Sequence, residues 1–232
     1  MNNVILSDRH PEFVQRLRAL GYHTIPSEKL ITYVPYESDH ADMQCLIIGD
    51  TAFVADECDS LKRSLRSRYN VVSCAEHIRD RYPMNIALNS AVVGKYVICR
   101  TDALCPAVRE YCEQHSYQLI DVKQGYAKCS CVIVGDHGVI TADKGIYNSL
   151  KENNEIDVLL IGEGSVRLAG AEYGFIGGAS GYDSDRRTLY FCGNIRLHPD
   201  AERITRFCTD HDVEIVSLTD SELIDIGGMI FC

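Results

Sequence analysis

A weak repeat of about 45 residues runs five times through the chain, and it restricts the fold more than any other feature. The repeat shows at five strand-to-helix junctions: Val4-Ile5-Leu6-Ser7-Asp8, Phe53-Val54-Ala55-Asp56, Val97-Ile98-Cys99-Arg100-Thr101-Asp102, Val139-Ile140-Thr141-Ala142-Asp143 and Ile195-Arg196-Leu197-His198-Pro199-Asp200. Successive aspartates are 48, 46, 41 and 57 residues apart. A period of that size belongs to solenoids, propellers and closed arrays, whose single units leave an apolar face uncovered until a neighbour packs on it.

Each copy reads β-β-α-β. Helical spacing appears in Phe13, Leu17 and Leu20, in Leu61, Leu65 and Tyr69, and in Leu104, Val108 and Tyr111. It returns in Ile146 and Leu150, then in Ile204, Phe207 and His211. Pro11 suits an opening helical turn and Gly21 a helix end. Strands open the copies at Leu46-Ile47-Ile48, Ala91-Val92-Val93 and Val132-Ile133-Val134, with the following Gly-Asp or Gly-Lys as hairpin turns. Other apolar runs follow the helices, Asn70–Ser73, Gln118–Val122, Asp157–Gly162 and Glu214–Leu218 among them. The repeated Asp8, Asp56, Asp143 and Asp200 are read as helix caps in preference to acid/base groups. With no low-complexity linker, the chain is expected to form one α/β domain over 1–232. Its repeats fall at roughly 1–44, 45–88, 89–130, 131–186 and 187–232, closed into a pseudo-fivefold propeller with the helices outside.

Composition narrows the function classes. A net charge of −10 argues against nucleic acid and mildly favours cationic ligands. No apolar run is long enough to span a bilayer, so no membrane partner is expected. Eleven cysteines, an odd number with no CxxC pair, fit a reducing cytoplasm better than a disulfide framework. No metal or other cofactor is expected. Cys129 and Cys131 would share one face if their segment were a strand.

Four segments carry a family resemblance: His40-Ala41-Asp42-Met43-Gln44, Val122-Lys123-Gln124-Gly125-Tyr126-Ala127-Lys128-Cys129-Ser130, Tyr173-Gly174-Phe175-Ile176-Gly177-Gly178-Ala179-Ser180-Gly181 and Asp225-Ile226-Gly227-Gly228. With the repeat, they make the chain resemble the pentein superfamily of guanidino-group-modifying enzymes, and within it a bacterial branch that carries no assigned activity. The resemblance implies five ββαβ units about a pseudo-fivefold axis. In members of known chemistry it implies a Cys that attacks a guanidinium carbon, a His that moves protons, and carboxylates that hold the cation. Gly227-Gly228-Met229-Ile230-Phe231-Cys232 looks like the nucleophile motif and His40-Ala41-Asp42 like the His-x-Asp pair. Here, however, the His closes the first repeat rather than a later one, and Cys232 ends the chain.

Aligning the copies sets His40 opposite Asn85 and Tyr126, Asp42 opposite Lys128, Met43 opposite Cys129, and Gln44 opposite Asn89 and Ser130. Equivalent positions in a closed ring face the axis, which brings the candidates to one polar funnel. His40, Asp42, Cys129 and Cys232 are the catalytic candidates, and Asn85, Asn89, Lys128 and Ser180 the substrate-binding ones. Lys128 is expected to lower the pKa of the Cys129 thiol. Two functions remain open. One is a Cys-dependent hydrolase or amidinotransferase acting on a small cationic guanidinium or amidine metabolite. The other is a non-catalytic module that binds a protein or metabolite through the same funnel.

Overall fold

The computed structural model describes residues 2–30, 34–74 and 82–232. Its strands fall into five three-stranded sheets. The first sheet contains β1 (Asn3–Leu6) and β2 (His23–Pro26), linked by α1 (Pro11–Ala19). After the short α2 (Ala41–Gln44) come β3 (Cys45–Ile48), β4 (Thr51–Ala55), α3 (Asp59–Leu65) and β5 (Asn70–Cys74). The third unit has β6 (Ala91–Val93), β7 (Tyr96–Cys99), α4 (Pro106–Gln114) and β8 (Gln118–Asp121). Another short helix, α5 (Ala127–Ser130), leads into β9 (Cys131–Val134), β10 (Gly138–Thr141), α6 (Lys144–Leu150) and β11 (Asp157–Leu160). The last unit has β12 (Ser180–Asp183), β13 (Thr188–Phe191), α7 (Ala201–Asp210) and β14 (Glu214–Ser217), and β15 (Ile230–Phe231) follows.

In every sheet the middle strand pairs antiparallel on one side and parallel on the other across a helix. Strands β4, β7, β10 and β13 are buried along their whole length. That two-sided burial is why they read as unbroken apolar runs instead of alternating ones. The helices present Phe13, Val14 and Leu17, or Leu61 and Leu65, inward; Lys62 of α3 is buried as well, paired with Asp56 and Asp59. At the tight β9–β10 hairpin Gly135 takes φ +63, a left-handed turn position that suits glycine.

Two expectations are corrected here. The first sheet is completed by β15, which pairs antiparallel with β1 (Val4 with Phe231), so the first unit is not confined to 1–44. The fifth begins at β12 rather than at 187, because Ser180–Asp183 pairs with Thr188–Phe191. The aspartates also divide. Asp143 caps α6 by accepting from the Ile146 N–H. Asp56 instead accepts from Ser73 and pairs with Lys62, Asp200 accepts from the Gly162 N–H, and the N-cap of α1 is His10, with no side-chain cap from Asp8. Among the described residues no helix is long and apolar enough to cross a membrane.

Candidate functional site

The segments just before β3, β6 and β9 supply most of the site. His40 is the N-cap of α2, so Asp42 sits on a single helical turn, not on a strand. Cys129 likewise sits on α5, and the one-face pairing with Cys131 expected of a strand does not apply. Opposite them, Gly177-Gly178 and Gly227-Gly228 make close backbone turns.

These pieces meet in a buried cluster. The Cys129 thiol donates to Asp42 Oδ2 at 2.9 Å, and His40, Asp42 and Cys129 each offer a polar atom within 4.8 Å of the other two. Asn89 fixes the thiol from both sides. Its Nδ2 donates to Cys129 Sγ at 3.2 Å, and its Oδ1 accepts from the N–H of Lys128 (2.8 Å) and of Cys129 (3.3 Å). The Asp42 N–H is held by the Gly227 carbonyl. A Cβ on Gly227 would lie 2.2 Å from the His40 Cβ, and one on Gly178 would lie 2.0 Å from Asp225 Oδ1, so both glycines are required by close approach. Asp225 accepts from the N–H groups of Phe175 and Gly227. Beside His40, Glu37 accepts from Asn85 Nδ2 at 3.0 Å, and the same amide reaches the Tyr126 hydroxyl at 3.2 Å.

The electrostatics are those of an acidic pocket short of cations. Glu37, Asp39, Asp42 and Asp225 are all buried. Asp39 pairs with Arg9 at 2.6 Å, whereas among the described residues no Lys or Arg forms an ion pair with the other three. Burial pushes the Asp42 carboxyl up to about 6; His40 opposes this and Asp225 adds to it. Its Oδ1 is buried without a hydrogen-bond partner among the described residues. Burial also raises Glu37, against the pull of Asn85 and Tyr126. The Cys129 thiol is driven well above its ordinary value by burial, then by the charges of Asp42 and Asp225. This reverses the expectation that Lys128 lowers it: burial dominates, and the Asp42 and Asp225 charges add to it.

His40, Asp39 and Asp225 line one wall of a cleft of about 540 Å³ that also touches Arg9 and Tyr36. The remaining candidates are elsewhere. Lys128 and Ser180 border a separate axial cavity of about 280 Å³, lined also by Cys45, Ser90 and Met229. Lys128 reaches the cluster through its backbone N–H. Cys232 lies in the apolar core with Cys45 and Tyr69. Its backbone pairs with Asn3, and burial pushes its thiol up to about 11. The funnel thus brings together His40, Asp42, Asn89 and Cys129, with Asn85 beside them, and leaves out Cys232, Ser180 and the Lys128 ammonium. Glu37 and Asp225 were not among the sequence candidates. Asp225 had a signal, standing just before the Gly227-Gly228 turn, whereas Glu37 had none.

Five mixed sheets about a pseudo-fivefold axis, with polar loops gathered before the inner strands, define a pentein-fold protein. A solved structure described as DDAH from Pseudomonas aeruginosa, a cysteine-to-serine mutant complexed with citrulline, is similar along 99% of this chain and 98% of that one. The TM-score is 0.58 at 13% identity, a likeness of fold. The chain belongs to DUF6873, a family of unknown function, whose model matches residues 5–230. No curated protein matches it in sequence.

Proposed function

We propose that the protein is a Cys-dependent hydrolase or amidinotransferase for a small guanidinium or amidine metabolite, with Cys129 rather than Cys232 as nucleophile. The observation that carries this reading is the Cys129–Asp42 hydrogen bond, within reach of His40, in a buried group where, among the described residues, no Lys or Arg forms an ion pair with Glu37, Asp42 or Asp225. A cation entering from the His40–Asp225 cleft would supply the missing positive charge, and its field beside Cys129 would oppose the like charges that keep the thiol protonated. The thiol proton passes to Asp42 or His40, and the thiolate forms a C–S bond to the guanidinium carbon. His40 returns a proton to the departing amine as the C–N bond breaks. Water or an acceptor amine then displaces sulfur. Asn89 positions the thiol, Asn85 with Glu37 holds the cation, and the related structure's citrulline ligand is in keeping with this substrate class.

The second reading, a non-catalytic binding module, is favoured by one observation: Cys129 is 2% exposed and held as a thiol. Labelling with a chloroacetamidine-type electrophile at neutral pH, followed by peptide mass mapping of the cysteines, separates the two. Rapid, saturable modification of Cys129, blocked by arginine or agmatine and lost in Cys129→Ser but kept in Cys232→Ser, supports the enzyme. Slow or scattered labelling rejects it in favour of the module.

A further inference from the structure

A second cluster lies away from this site, where the fourth and fifth units meet. His137 is in the β9–β10 turn, Asp157 opens β11, and His211 follows the last residue of α7. The His211 ring is sequestered, its side chain 7% exposed. Its Nδ1 lies 2.8 Å from the Phe207 carbonyl, which can only accept, so Nδ1 carries the proton. Nε2 is then a lone pair in the neutral ring. It is buried and has no hydrogen-bond partner among the described residues. What it faces is another acceptor: Asp157 Oδ2 at 3.3 Å, and His137 Nε2 is 3.6 Å from that same oxygen. Two acceptors aimed at each other at this range repel unless a metal cation or a proton lies between them.

The separations fit one kind of cation. A tetrahedral zinc site with bonds of about 2.0–2.1 Å to nitrogen and oxygen sets neighbouring donors about 3.3 Å apart. A carbonyl bound to the far nitrogen of a ligand imidazole is the usual way its tautomer and orientation are fixed. Space is kept open as well: a Cβ on Gly138 would lie 3.0 Å from His211 Nε2. The anchors are firm, since the Asp157 N–H is bound to the His137 carbonyl. A nearby positive charge, Arg187, is occupied by the carbonyls of His211 and Asp212 and by Asp136. On the solvent side, Asp136, His137, Glu155 and Asp157 border a groove of about 540 Å³, which leaves a fourth position for water or a ligand.

We propose that His137, Asp157 and His211 bind a first-row divalent cation of the zinc class, clamping the fourth unit to the end of α7. Two imidazoles and one carboxylate favour such an ion over magnesium or calcium, which prefer all-oxygen sites.

The test is calorimetric titration of Zn²⁺ into the full-length, chelator-treated protein, with Cys129→Ser as background so that the thiol cluster does not compete. The expected result is one saturable equivalent. Binding weakens at least about tenfold in His137→Ala and in Asp157→Asn. Both side chains are more than half exposed, so the fold is retained, and circular dichroism checks it. Co²⁺ in the same background is expected to give visible d–d bands without a thiolate charge-transfer band. Equal affinity in parent and variants overturns the proposal, as does thiolate ligation of Co²⁺. The same holds for the absence of saturable binding.

Discussion

Replacing Asp42 with Asn is expected to stabilise the protein while removing the reactivity of Cys129. The carboxyl is raised from 3.8 to about 6, chiefly by burial, and that displacement is worth about 3 kcal/mol against the ionised form in the folded state. The sign follows from proton uptake. Between about pH 4 and pH 6 the native state holds a proton that the unfolded chain has lost, so this carboxyl weakens the fold as pH rises through that window. Its full cost is present at pH 7.5 and absent below about pH 4. An Asn keeps the shape and still accepts from Cys129, but exchanging a charge-assisted bond for a neutral one returns about 1 kcal/mol. The net expectation is a gain of about 1–3 kcal/mol at pH 7.5 that shrinks towards zero or reverses at pH 4. Urea unfolding of parent and variant at the two pH values measures it. Comparing variant with parent cancels the surface carboxylates Asp56, Asp102, Asp121, Glu155 and Asp200, which are held low and titrate in the opposite sense. A variant less stable than the parent at pH 7.5, or one with the same gain at both pH values, would refute the reasoning.

Other substitutions probe the framework. Gly227→Ala, whose Cβ meets His40 at a φ of +76, is expected to cost about 2–4 kcal/mol in urea unfolding and to slow labelling of Cys129; a loss below about 1 kcal/mol would contradict the close approach. Tyr22→Phe removes the hydroxyl that donates to the buried Asp183 and should lower stability by about 1–3 kcal/mol, with an unchanged urea midpoint counting against that bond. Phe53→Ala empties a fully buried ring site edge-on to Tyr111, with an expected loss of about 3–5 kcal/mol by the same measurement.

The architecture was legible because burial on both faces makes β4, β7 and β10 continuous apolar runs, and because the hairpins before them carry Gly49, Gly94 and Gly135; the fifth unit was misread, since Ile195–Leu197 is a short 3-10 helix and the strand before α7 is β13, whose hairpin has no glycine. The site was legible in part, and its departures from the expected register have separate physical origins. The alignment set Asp42 opposite Lys128 and Met43 opposite Cys129, with side chains leaving a ring at equivalent angles. Short helices α2 and α5 replace the expected extended approach, and a helix turns about 100° per residue. Cys129 therefore meets Asp42, one position off the expected register, while the neighbouring Lys128 side chain swings to the axial cavity. Cys232 went astray for a different reason: the pairing of its backbone with Asn3 carries the thiol into the core beside Cys45. Glu37 stands one turn before His40, whose N–H its carbonyl accepts, in a stretch without a repeat match, and Asp225 comes to His40 from the far end of the chain, a contact that no local pattern encodes.

The pairing of β15 with β1 has a consequence for the order of assembly. Four sheets are built from strands that follow one another along the chain, so each can condense soon after it leaves the ribosome. The exception is the sheet of β1 and β2, which must wait for residues 230–231 before it has its third member. During synthesis that unit is thus finished after the other four, and until then the unpaired edge of β1 is open to chaperones or to mispairing.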